Sequence, residues 1–73
     1  MSAFKRYLFS LPNHAATIHI LECLWGGGQD SEAWEVMEEM YGPDWSCKPQ
    51  EMPQYVEAGL RKLREKYNLK ERQ

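Results

Sequence analysis

The sequence predicts a small α+β fold of order ββαβα, an antiparallel hairpin-based sheet with two helices packed on one of its faces. Three observations predict it. Two apolar runs of alternating character occupy the first 25 residues and flank a turn cluster; three consecutive glycines follow; and two later segments repeat their apolar residues at helical spacing.

Ala3 to Leu11 is rich in aromatic and branched side chains, with Lys5, Tyr7 and Phe9 alternating against Phe4, Arg6 and Leu8, the period of two that a strand presents. Leu11-Pro12-Asn13-His14 reads as a turn. From Ala15 to Trp25 the alternation resumes, with Ala16, Ile18 and Ile20 on one face and Thr17 and His19 on the other, which completes a hairpin. Gly26, Gly27 and Gly28 end the second strand, and Asp30 or Ser31 supplies a side-chain oxygen to cap the helix that follows.

That first helix runs from Ser31 to Tyr41, its apolar stripe formed by Ala33, Val36, Met37, Met40 and Tyr41. Gly42 and Pro43 stop it, a left-handed cap followed by a residue that cannot continue the helix. Asp44 to Lys48 is long enough for a short third strand, with Trp45 and Cys47 pointing the same way. Pro49 and Pro53 bracket a loop, and Pro53 suits the first turn of a second helix reaching about Tyr67. Val56, Gly59, Leu60, Leu63 and Tyr67 form its buried stripe; Asn68 ends it, and Lys70 to Gln73 reads as a fraying tail.

The 73 residues read as one domain, 1–73, with no internal repeat or linker. A domain of this size buries only about 60% of the surface its unfolded chain exposes. Such a core rarely supplies more than about 3–5 kcal/mol unless disulfides, a metal or a second copy helps, so a homo-oligomer is one expected state. Three Trp, four Tyr and two Phe partly offset the small size. Cys23 and Cys47 are too few and too far apart for a disulfide framework and read as packed thiols of a reducing compartment. Lys5 and Arg6 precede an apolar run, but Pro12, Asn13 and His14 break it short of signal or membrane-spanning length. The expectation is a cytoplasmic protein with no membrane partner.

Three glycines before a helix raise the question of a phosphate-binding loop. A Walker-type loop needs a lysine and a hydroxyl residue directly after its last glycine; here Gln29, Asp30, Ser31 and Glu32 follow, and carboxylates in a first helical turn repel an anion. The dinucleotide fingerprint spaces its glycines and needs a longer parallel unit. The glycines therefore read as a strand-to-helix connection. His14, His19, Cys23 and Cys47 are zinc-ligand types, yet the nearest pair, His19 and Cys23, would lie about 13 Å apart on a strand rising roughly 3.3 Å per residue. No motif marks a nucleophile with its orienting group and oxyanion site. The expectation is a protein with no cofactor, no metal and no catalytic activity.

Charge is more informative. Residues 30 to 44 hold Asp30, Glu32, Glu35, Glu38, Glu39 and Asp44 and no lysine or arginine, so the net charge of −2 conceals a dipolar chain. At about 100° per residue the four glutamates fall on one helix face, opposite Ala33, Met37 and Met40, with Trp34 at the edge of the apolar stripe beside Glu38. An acidic face bordered by aromatics has the composition of a protein-binding surface, aromatics anchoring and charges steering. Trp34, Glu35, Glu38, Glu39 and Tyr41 are the candidate partner-binding residues. The alternative is a weak nucleic-acid-binding module using Arg61, Lys62, Arg64 and Lys66 of the second helix. Two features count against it: i, i+4 pairing to Glu57 and Glu65 neutralises part of that charge, and a pI of about 5.6 is far from basic.

A hairpin followed by SEAWEVMEEMYGPDW and a short strand resembles the small ββαβ-type accessory proteins of bacteriophages and prophages, over residues 3–48. The resemblance transfers no functional residue. It implies a non-enzymatic protein that binds a host or phage macromolecule, including inhibition of a host nucleic-acid enzyme or defence complex through an acidic, DNA-like surface.

Overall fold

The computed structural model describes residues 2–26 and 31–69, and no strand occurs among them. Four helices form the fold: α1 (Ala3–Ser10), α2 (Asn13–Trp25), α3 (Ser31–Tyr41) and α4 (Met52–Lys66), with a 3-10 turn, Pro49–Glu51, leading into α4. The expected α+β order ββαβα, its hairpin and its antiparallel sheet are overturned. The two later helices stand where apolar spacing puts them. The resemblance to ββαβ-type phage proteins drew on the hairpin, the SEAWEVMEEMYGPDW segment and the short strand after it; of these, the described residues contain only the helix. No helix of the described residues is long and apolar enough to cross a membrane.

The first error has a local cause. In α1 the pairs Phe4/Leu8 and Lys5/Phe9 sit four residues apart, so a segment that alternates also satisfies a helical period. What decides it is the end chemistry. Ser2 Oγ accepts from Lys5 N at 3.2 Å, an N-cap bond that satisfies one of the free amides of the first turn. Pro12 forces Leu11 into an extended conformation (ψ 154°), which ends α1, and Pro12 itself then heads α2, its carbonyl accepting from Ala16 N at 2.9 Å.

In α2 the buried residues are Asn13, Ala16, Thr17 and Ile20, spaced i, i+3, i+4 and i+7. Two of the four are polar, so a count of apolar residues misses the stripe. Ile18, assigned to the same strand face as Ala16 and Ile20, is 42% exposed while they are fully buried. Only a helix separates them in that way.

The third strand is likewise absent: Asp44 to Lys48 is irregular, beginning with a turn in which Trp45 N donates to Gly42 O at 3.2 Å. A strand needs a partner edge for its backbone groups, and the segments expected beside it are helical. The end of α3 is as expected, with Gly42 at φ +94°. So is the end of α4. Asn68 takes φ +57°, Asn68 N donates to Glu65 O at 3.1 Å and Leu69 N to Arg64 O at 2.7 Å, the paired bonds of a Schellman cap. Asp30, the side chain of Ser31, Gly27 and Gly28, and the tail from Lys70 lie outside the described residues, and with them the expected helix cap and most of the glycine connection.

Helix α4 packs against both α2 and α3, and α1 crosses α2. Leu8, Ile20, Val36, Met37, Val56, Leu60 and Leu63 are at the centre of the core, each 0–2% exposed. Gly59 lets α3 and α4 approach closely: a Cβ there would overlap Met40 Sδ and lie 2.9 Å from Tyr41 Cε2. Beside the core sits a polar clasp. Arg64 of α4, 3% exposed, donates to Leu11 O at 2.7 Å, to Phe9 O at 3.4 Å and to Asn13 Oδ1 at 3.0 Å. Its guanidinium also lies 5.4 Å from the centre of the Phe9 ring. A cation at the carbonyl end of α1 is favoured by the helix dipole. Asn13 returns the link, Nδ2 donating to Glu57 O at 3.2 Å.

Candidate functional site

The outer face of α3 carries the residues that the sequence singles out. Helical spacing puts Trp34, Glu38 and Tyr41 on one stripe at i, i+4 and i+7, with Glu35 a quarter turn further out and Glu39 at the opposite margin. Trp34 is 53% exposed, yet its ring is not loose. It lies against Trp45 from the loop after α3, with centroids 4.8 Å apart and planes inclined at 56°. Trp45 in turn neighbours Tyr55 of α4 at 6.4 Å, and Tyr55 stacks on Tyr41 at 4.0 Å and 19°. Four aromatic rings thus run from an exposed end to a half-buried one, with the half-buried Glu38 on the α3 stripe between Trp34 and Tyr41.

The five candidate residues divide by role. Tyr41 is built into the fold: its hydroxyl donates to Tyr55 O at 2.8 Å, and burial first, then the neighbouring Tyr55 and Cys47, raises its pKa above the ordinary 10.0. It therefore stays a donor through the physiological range. Lys62 Nζ lies 4.8 Å over the Tyr41 ring, within cation–π range.

Glu39 is also structural. Its side chain is 19% exposed, Oε1 pairs with Lys5 of α1, and Oε2 lies 3.5 Å from Lys66 of α4. Burial pushes its pKa up, but the Lys5 hydrogen bond and charge, followed by those of Lys66, outweigh that and hold it below 4.5. Its expected place on a freely projecting acidic face is corrected. Glu35 and Glu38 remain, Glu35 exposed and Glu38 half-buried, and neither makes an ion pair among the described residues.

The basic residues of α4 are distributed differently from expectation. Arg61 lies 3.8 Å from Glu57, as i, i+4 spacing allows. Arg64 is not a surface charge paired with helix neighbours but the centre of the clasp to α1 and α2. Lys62 leans over Tyr41 and Lys66 on Glu39. They form no continuous positive track.

Helix formation also overturns the separation assigned to His19 and Cys23. On α2 they are i, i+4 neighbours, with Nε2 and Sγ 4.0 Å apart, and the His19 ring packs between Phe4 at 5.6 Å and Tyr7 at 5.2 Å. No group of three His, Cys, Asp or Glu side chains that could hold a metal converges among the described residues.

Sequence reasoning missed a second surface. Ile18, Leu21 and Trp25, with Glu22 and Gly26, line an open groove of about 490 Å³ on the outer side of α2. Trp25 is 56% exposed there. Its signal was the apolar character of α2 all round, a property that the strand reading absorbed into alternation. The roles of Trp45 and Tyr55 as supports for Trp34 and Tyr41 left no trace in spacing, because they come from a loop and another helix.

Comparison of the chain with protein-family models, with curated proteins and with solved structures gives no match.

Proposed function

We propose that this chain is a non-enzymatic protein-interaction module whose contact surface is the outer face of α3, with Trp34 as the anchor and Glu35 and Glu38 as the charged flank. The observation that carries the reading is an indole that is 53% exposed and yet held at 4.8 Å by a second indole. A pre-positioned aromatic loses little side-chain freedom when a partner covers it, which is how interface anchors concentrate binding energy. Carboxylates beside it, with no cation of the same helix among residues 31–41, accelerate encounter with a complementary partner and discriminate against an acidic one. Glu39 and Tyr41 support this face from within. The nucleic-acid alternative has less to rest on, because a phosphate track needs consecutive uncommitted cations.

The reading is tested by placing a photo-reactive side chain at position 35, or at position 61 on α4, and exposing the protein to lysate. A specific adduct should form from position 35, should be lost in Trp34→Ala and Glu38→Lys, and should persist in Lys62→Ala. Salt-sensitive binding to DNA or RNA that disappears when Lys62 and Lys66 are neutralised would sink the proposal.

A further inference from the structure

The α3 stripe has a more specific chemistry than a generic acidic surface. Glu38 sits one helical turn beyond Trp34 and less than a turn before Tyr41, so a carboxylate is bracketed by two members of the aromatic series Trp34, Trp45, Tyr55 and Tyr41. An aromatic face attracts a cation through its ring quadrupole, and indole does so best. A carboxylate within one turn of that face can accept two parallel N–H bonds from a guanidinium lying flat on the ring. A cation already sits over an aromatic face at the inner end of the cluster, where Lys62 of the same chain lies 4.8 Å over Tyr41. At the outer end Trp34 is exposed, and neither Glu38 nor Glu35 makes an ion pair among the described residues.

We infer that the Trp34–Glu38 stripe is a recognition site for an arginine side chain of a basic partner segment, the guanidinium stacking on Trp34 while Glu38 accepts its hydrogen bonds. Glu35 and Glu32 lie on the open side of the stripe and extend the same sign of charge towards flanking basic residues. This inference rests on the reading of α3 as the contact face.

Two measurements separate the inference from that reading. In the first, the Trp25→Phe protein is used, so that emission reports Trp34 and Trp45 alone. It is titrated with a glycine-spaced peptide carrying two arginines and with the same peptide carrying citrulline, the neutral isostere. The arginine peptide should quench the emission saturably and the citrulline peptide should not. Adding salt should weaken the binding. Glu38→Gln, which keeps the shape and the helix, should lower affinity roughly tenfold, the usual scale for a charge-assisted hydrogen bond. Trp34→Ala, checked for helicity by circular dichroism, should abolish it. Equal titration by the citrulline peptide, or parent-like affinity in Glu38→Gln, overturns the inference. In the second, the adduct from position 35 is formed in excess arginine peptide. Competition supports the inference; an adduct that persists overturns it while leaving α3 as the contact face.

Discussion

Arg64 Nε donates to Asn13 Oδ1 at 3.0 Å, joining two buried side chains that stand 51 positions apart in the chain. Neither residue type belongs in a thin apolar core on composition alone. Both are accommodated because every strong group finds a partner: no described buried side-chain nitrogen or oxygen lacks one.

Breaking this pair should therefore be costly. Arg64→Lys places a shorter, non-planar donor where the fork reaches Phe9 O, Leu11 O and Asn13 Oδ1 together, and Asn13→Ala removes both an acceptor and the donor to Glu57 O. Each should lower stability by about 1–3 kcal/mol, a large share of what so small a domain has. The double variant should cost less than the sum, with a coupling of about 0.5–3 kcal/mol, because the second change removes an interaction already broken. Urea unfolding followed by circular dichroism measures all three, and strict additivity would dissolve the proposed clasp.

Gly59→Ala opposes two effects. Alanine is the better helix former by about 1 kcal/mol, but its Cβ would overlap Met40 Sδ and crowd a Tyr41 ring that is tethered to Tyr55 O. Overpacking of this kind costs about 1–3 kcal/mol, so the variant should melt at a lower temperature. Met40→Ala made in the Gly59→Ala background should cost less than Met40→Ala alone. A higher melting temperature for Gly59→Ala would mean that α3 and α4 pack less closely than described.

Acid sensitivity should trace to Glu39. Its folded pKa lies below the ordinary 4.5, so its pairing with Lys5 and Lys66 contributes stability above that value, and the contribution fades as pH falls through the lower folded value. Glu39→Gln should flatten the stability profile below pH 4.5. Chemical denaturation at a series of pH values reads this directly.

Leu63 is 2% exposed and belongs to the stripe that the sequence assigns to α4. Leu63→Ala should cost about 2–5 kcal/mol, enough to unfold a domain of this size, and a parental melting curve would contradict the stripe.

The legible half of the chain is the half whose buried face is apolar. In α3 and α4 the hydrophobic residues recur at helical spacing, and Gly42 and Asn68 mark the ends by their tolerance of positive φ. In α1 and α2 the buried positions include Asn13 and Thr17 while Ile18 and Trp25 face outwards, so hydrophobicity and burial part company. Asn13 is inside only because Arg64 and Glu57 meet it there, a fact that no local window contains. At the candidate site, Trp34, Glu35 and Glu38 were visible as a helix face. That Glu39 and Tyr41 are engaged inwards depends on Lys5 and Tyr55, 34 and 14 residues away.

The clasp also sets a schedule for synthesis. Leu11 leaves the decoding centre 53 residues before Arg64, which at 5–20 residues per second is a delay of roughly 3–11 s. Helix formation equilibrates in about a microsecond, so α1 and α2 form and dissolve many times in that interval with nothing to hold them together at their junction. Closure of the clasp therefore waits for α4 to be made, however early α1 and α2 take their helical form.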